Sequence, residues 1–186
     1  MSDQALLVMD FQPVILGAVG GDDSPALAAA KKAVKAARKK NVPVIFVRVA
    51  FRPGYPEINP ENKGFAPLAA YGDVFVETEA TAQVHPSLAP TDTEVIVTKR
   101  RMSPFAGSDL SAVIGGMGIN HLVLAGVTTS GVVLSTIRHA CDADFELTVL
   151  ADACADNDEE VHKVLIEKVF PAHAEVIDTE TWTASL

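Results

Sequence analysis

Apolar, β-branched runs of strand length recur along the chain at Ala5 to Met9, Val42 to Val49, Glu94 to Thr98, Leu122 to Ala125, Phe145 to Leu150 and Glu175 to Ile177. Such continuously apolar runs predict strands buried on both faces. Segments of helical period lie between most of them. Ser24 to Lys40 places Leu27, Ala30, Val34 and Ala37 on one side and its basic residues on the other, and Ser24-Pro25 reads as an N-cap followed by the first helical residue. Further helices are predicted at about Gly107 to Gly116, with Leu110 and Ile114 inward, at Gly131 to Asp142, and at Glu159 to Phe170, with Val161, Leu165, Val169 and Phe170 inward. Strands alternating with helices predict an α/β domain: a six-stranded, mainly parallel sheet with helices on both faces.

The pattern breaks over Ala50 to Pro90, where Pro53, Gly54, Pro56, Pro60, Gly64, Pro67, Gly72 and Pro86 leave room for no helix or strand of ordinary length. A long irregular connection in a compact domain is usually functional, as a wall of an active site or as an oligomer contact. Its content of proline, glycine and aromatic residues is costly to order without something to pack against, which predicts a homo-oligomer.

Composition narrows the partners. The 186 residues fit one domain, 1–186, with a core large enough to hold a pocket. A formal net charge of −9 repels phosphate backbones and anionic lipid, so a small-molecule partner is expected rather than nucleic acid or a membrane surface. The apolar run Ala5 to Met9 is too short for a signal sequence and leads straight into Asp10. Cys141 and Cys154 form neither a CxxC nor a zinc spacing, which fits free thiols in a reducing cytoplasm. Gly17, Gly20 and Gly21 do not make a GxGxxG, so no dinucleotide or other cofactor is expected.

In open parallel sheets ligands bind beyond the carboxyl ends of the strands. The first strand ends in LLVMDFQ with Asp10 and Gln12, the third in VIVTKRRMSPF with Lys99, Arg100 and Arg101, and the fourth in GVTTSGVVLSTIRHA. Each has a plain structural account beside the chemical one. Asp10 could cap the turn after its strand, Lys99 could be one of three solvated charges, and Thr128, Thr129 and Ser130 could cap the following helix.

Taken together, these segments resemble the isochorismatase-like, or cysteine hydrolase, superfamily, and the likeness covers nearly the whole chain. LLVMDFQ is similar to that family's Asp-x-Gln strand, VTKRRMSPFAGSDL to its lysine strand, and HLVLAGVTTSGVVLSTIRHACDADFELTVLADACAD to its elbow and next strand. The resemblance implies a three-layer α/β/α Rossmann-like domain, strand order 3-2-1-4-5-6, often oligomeric, hydrolysing small amides, carbamoyl compounds or a vinyl ether. It also implies Asp10 as general acid/base and Lys99 as its charged partner. A sheet with its first, third and fourth strands adjacent would bring these residues together more simply.

The family's elbow reads Gly-Val-x-Thr-x-x-Cys-Val, and the place of its nucleophilic cysteine is taken here by Val132. Cys141 lies nine residues along the same predicted helix, about 13 Å of rise away. Ser130 or Ser135 would need a base, and no histidine stands at the elbow or beside Asp10 and Lys99 in the motifs; His139 lies further down the helix. What is left is acid–base chemistry by Asp10 and Lys99 without a thiol, or a catalytically silent relative that keeps the pocket for binding or assembly. Metal-dependent relatives carry Asp-x-His after the second strand, where this chain has RVAFRPGYPEI, so no metal is expected. Gln12, Phe51, Arg52, Phe105, Thr128, Thr129, Ser130 and Gly131 are the candidate substrate contacts, with Tyr55, Phe65 and Arg101 as further walls. The guanidinium groups would clamp a carboxylate, which predicts a carboxylated substrate.

Overall fold

The computed structural model describes residues 3–186. Six strands, β1 (Gln4–Met9), β2 (Val44–Val49), β3 (Val95–Lys99), β4 (His121–Val127), β5 (Glu146–Ala155) and β6 (Glu175–Ile177), form one sheet in the order β3-β2-β1-β4-β5-β6. Every neighbouring pair is parallel. The order is the one the family resemblance implies, so β1 and β3 are separated by β2.

The alternation of strand side chains sorts each apolar run into two cores. Leu7 and Met9 of β1 join Ile45, Val47, Leu122 and Leu124 under α3 (Leu110–Met117), α4 (Leu134–Asp142) and the π-helical turn Leu165–Val169 that follows α5 (Glu159–Val164). Leu6 and Val8 join Phe46, Val123 and Ala125 under α2 (Pro25–Lys39) and α6 (Thr179–Ser185). Helix α2 buries Leu27, Ala30, Val34 and Ala37 as its period predicts. Complete burial of such aliphatic side chains is worth about 1.5–3 kcal/mol each for the larger ones, which favours apolar residues through the central strands.

Several details differ from the sequence reading. Ser24 stands at the N-cap of α2, yet its hydroxyl makes no cap bond. The short helix α1 (Pro13–Leu16) and the terminal α6 lacked a long enough period to be read, although α6 has an orthodox cap in which Asp178 accepts from Thr181 N. Strand β5 continues to Ala155 because its register against β4 shifts between Leu124 and Gly126, pairing Gly126 with Cys154. The helix read at Glu159 to Phe170 is α5 followed by a π-helical turn at Leu165–Val169, and the change of pitch leaves Val161 exposed rather than inward.

The segment from Ala50 to Pro90 winds through 3₁₀ turns, the longest at Ala66–Phe75, closes on itself through a bridge between Phe51 and Val76, and bonds the strand ends where Ala50 N donates to Lys99 O and His85 N to Phe11 O. Val49, Phe51, Tyr55, Phe65, Phe75 and Val76 form a separate small core inside it. Tyr55 also donates its hydroxyl to Gly72 O at 2.5 Å. The segment therefore packs against itself and the strand ends.

Candidate active site

Asp10 is the first residue beyond β1, and the chain turns there through a left-handed conformation, φ +60°. Its amide still bonds Val47 O of β2 at 2.9 Å, so the residue stays fixed to the sheet while its side chain leaves it. Lys99 ends β3 opposite Val49. Two strand spacings, roughly 10 Å, separate β1 from β3, a gap that a lysine stem can span. The Lys99 ammonium lies 2.9 Å from Asp10 Oδ2 and donates to Arg101 O at 3.1 Å. Both residues are buried, Asp10 at 4% exposure and Lys99 at 2%. Of the three basic residues in sequence, Lys99 turns inward, Arg100 pairs with Glu57 and Glu77 at the surface, and Arg101 is exposed.

The pair is incomplete on one side: Asp10 Oδ1 is buried without a hydrogen-bond partner. Burial pushes the Asp10 carboxyl above its ordinary value, and the Lys99 charge and hydrogen bond only partly oppose this. A carboxyl raised in this way keeps its proton into a range where it can act as an acid.

The third part is the turn out of β4. A cis peptide joins Val127 to Thr128, and a π-helical turn, Thr129–Val133, leads into α4. Thr128 O accepts from Gly131 N at 3.2 Å and Val133 N at 3.3 Å. Glycine leaves room at 131, where a Cβ would lie 2.7 Å from Thr128 Oγ1 and would make that hydroxyl move. Thr129 is buried and shares a 2.8 Å hydrogen bond with His162, and Ser130 N donates to Asp156 at 2.7 Å, so α5 and its approach hold the turn from behind.

Asp10, Lys99, Thr128, Gly131 and Val132 meet on one cavity of about 190 Å³. The rest of its wall is apolar, supplied by Ile15, Val49, Val127 and Met102 from the strand ends and by Phe65, Leu68 and Phe75 from the irregular segment. Of these, sequence reasoning named only Phe65. Val49 and Met102 flank the named strand-end motifs and could have been found by asking what sits beside Lys99.

The other candidate contacts lie elsewhere. Gln12 is fully buried, with Nε2 donating to Val49 O and Ala82 O and Oε1 accepting from Val49 N, so it clamps β2 to the irregular segment. Phe51 is in the small core against Tyr55 and Phe65. Arg52 is 60% exposed on its side chain and paired with Glu57. Phe105 stacks on His139 at 4.6 Å behind the elbow. Thr129 and Ser130 face α5 and solvent, because the π turn rotates them away from the cavity. Cys154 is buried beside Gly126, its thiol pushed up to about 12 by desolvation, and half-buried Cys141 faces His173. Neither cysteine lines the cavity. Among the described residues no group of three or more His, Cys, Asp or Glu side chains is placed to hold a metal ion, and no helix is long and apolar enough to cross a membrane.

A parallel sheet that gathers an acid, an ammonium and a strand-to-helix turn around one cavity at its carboxyl end has the layout of an α/β enzyme for small molecules. The isochorismatase domain matches residues 4–181, and the chain belongs to the isochorismatase family of hydrolases. The isochorismatase family protein YecD of Escherichia coli O157:H7 is 33% identical over 179 residues, covering 95% of this chain and 92% of that one. The ureidoacrylate amidohydrolase RutB of Pseudomonas syringae is 30% identical over 171 residues, covering 81% of this chain and 70% of that one. The fold superposes on a cysteine hydrolase from Pseudomonas syringae pv. phaseolicola with a TM-score of 0.88 at 20% identity, over 99% of this chain and 93% of that one.

Proposed function

We propose that this protein is a hydrolase of small molecules that works by proton transfer from Asp10, with Lys99 as its charged partner and without a thiol nucleophile. The observation that carries the reading is the buried Asp10–Lys99 pair on the cavity, with one carboxyl oxygen left unpartnered. A buried charge pair is expensive to desolvate and is weak support for stability, so its presence on a cavity favours a chemical role. In this reading the neutral Asp10 carboxyl donates its proton to the atom that must leave or be activated, while water adds to the adjoining carbon. The proton released by that water restores the acid.

Val132 takes the place of the family's cysteine in this reading, and its isopropyl group closes the cavity between Thr128 and the apolar wall. The amidohydrolase RutB among the relatives supports cleavage of an acyl–nitrogen bond as the first activity to try. The guanidinium clamp expected for a carboxylated substrate is not at the cavity, since Arg52 and Arg100 are paired at the surface and Arg101 points to solvent.

The test is a panel of amides, ureides, vinyl ethers and esters assayed against wild type and Asp10→Asn. Removing a general acid should lower kcat about 10²–10⁴-fold for the substrate that wild type turns over. Equal rates in the two proteins would dismiss Asp10 as the acid, and no turnover of any compound by wild type would leave the silent, ligand-binding relative as the better account.

A further inference from the structure

We infer that the cavity selects an uncharged ligand with a short apolar arm, and discriminates against the carboxylated molecule that the sequence alone suggests; as a statement about substrates this rests on the hydrolase reading above. Among the described residues lining the cavity, Lys99 is the one cation. Its ammonium is already engaged by Asp10 Oδ2 at 2.9 Å and Arg101 O at 3.1 Å. A bound carboxylate would therefore have to share that ammonium with Asp10, whose other oxygen is buried beside it. With a reacting head held between Asp10 and Lys99, a charged far end must instead lie against the rest of the wall, where an unpaired carboxylate is desolvated.

The remaining wall offers nothing to such a charge. Ile15, Val49, Phe65, Leu68, Phe75 and Met102 present hydrocarbon and thioether surface. That surface rewards an alkyl or aryl arm, and one hydrogen-bonding head can reach Asp10, Lys99 and the Thr128 hydroxyl. A volume of about 190 Å³ suits a small head and a short arm. The chemistry that fits is a small neutral acyl compound, such as an unsubstituted aliphatic amide, rather than an amino-acid-like or dicarboxylic one. Leu68 is the specificity position most open to change, because it is half-buried on the irregular segment and borders the cavity without belonging to the sheet.

The experiment is a ligand-observed NMR titration of the full chain at pH 7 with pentanamide and with succinamate, which carry the same head and differ in the charged end. Binding is read whether or not either compound is turned over. Pentanamide should bind at least about tenfold tighter than succinamate, since an unpaired carboxylate must be desolvated. Leu68→Arg, which supplies the missing guanidinium on a tolerant surface, should reverse the order. Succinamate binding as tightly as pentanamide, no binding of pentanamide, or a preference unmoved by Leu68→Arg would each overturn the inference. If pentanamide is preferred and nothing in the hydrolysis panel is turned over, the ligand class stands and the hydrolase reading falls. If carboxylated compounds are preferred and hydrolysed, the hydrolase reading stands and this inference falls.

Discussion

Lys99 reaches past β2 to place its ammonium 2.9 Å from Asp10 Oδ2, although the strands that carry the two residues do not touch. The span works because Asp10 sits just beyond β1, where its φ of +60° releases the side chain from the sheet, and because a lysine stem is long enough to return a charge from two strands away. An arginine would carry a wider, planar head with five donors in place of the compact ammonium.

The pH dependence of the site follows from this pairing. Burial raises the Asp10 carboxyl above its ordinary value of 3.8, so the folded protein holds that proton more tightly than the unfolded chain does. The stability this contributes is fully present below the unfolded value and is lost as pH rises through the folded one. Activity that needs the protonated acid should fall over the same upper range. Lys99→Met removes the charge that opposes the shift, so the descending limb of kcat/KM against pH should move to higher pH while its height drops. A limb that moves to lower pH in that variant would show that Lys99 does not hold the Asp10 carboxyl down.

Gln12 is a structural clamp, and its loss should be felt as stability. Gln12→Leu leaves Val49 N, Val49 O and Ala82 O without their side-chain partner in a fully buried place. Orphaned buried groups cost about 1–3 kcal/mol each, partly relieved where the chain relaxes toward solvent. Thermal unfolding should fall by about 5–12 °C, at about 2–4 °C per kcal/mol for a chain of this size. A variant with unchanged melting and a raised KM would return Gln12 to the substrate.

Much of this was legible in the chain before its structure. The central strands are continuously apolar because both cores draw on them, as Leu6 and Leu7 show by facing opposite sides of β1. Asp10, Lys99 and the turn after β4 were legible as strand-end residues, since a charged residue ending a buried strand points to the sheet's carboxyl face. The apolar wall was not legible. Phe65, Leu68 and Phe75 come from a segment with no period, and only its fold shows that Phe65 borders the cavity while Phe51, with the same composition around it, is sealed in the small core. Arg52 looked like a clamp because sequence does not show that Glu57 lies close enough to take its charge at 2.6 Å. The rotation of Thr129 and Ser130 away from the cavity depends on a π-helical turn, whose extra residue per turn no spacing argument anticipates.

Gly126 marks where the elbow and β1 come closest. A Cβ there would meet Val133 Cγ2 at 3.0 Å and Met9 Cβ and O at 3.2 Å, all in the packed interior under α4. Gly126→Ala should push the π turn away from β1 at a cost of about 1–3 kcal/mol, typical of overpacking a close-packed core. Melting should drop by about 2–10 °C, and activity should fall because the displaced turn carries Thr128 and Val132. Wild-type melting in Gly126→Ala would show that the elbow is looser than its contacts imply.

The chemistry proposed for the cavity needs no thiol, which exposes it to a direct trial. Cys154 is buried with its thiol pushed up to about 12, and half-buried Cys141 lies away from the cavity beside His173. Thiolate rather than thiol is the reactive form, so iodoacetamide should label Cys154 slowly and leave native activity nearly intact. Stoichiometric alkylation that abolishes activity would overturn the thiol-free reading. The converse substitution, Val132→Cys, places a sulfur on the cavity wall shared with Lys99, at the start of the helical run into α4. A nearby ammonium and the amides of a helix start both favour thiolate, so this variant should react with iodoacetamide faster than either native cysteine. Val132 is 1% exposed, however, so the reagent must enter through the cavity mouth, and a neutral aliphatic amide that fills the cavity should slow the reaction. Labelling no faster than wild type would place residue 132 in the packed core rather than on the cavity, and with it would go the assignment of Val132 to the family's nucleophile position.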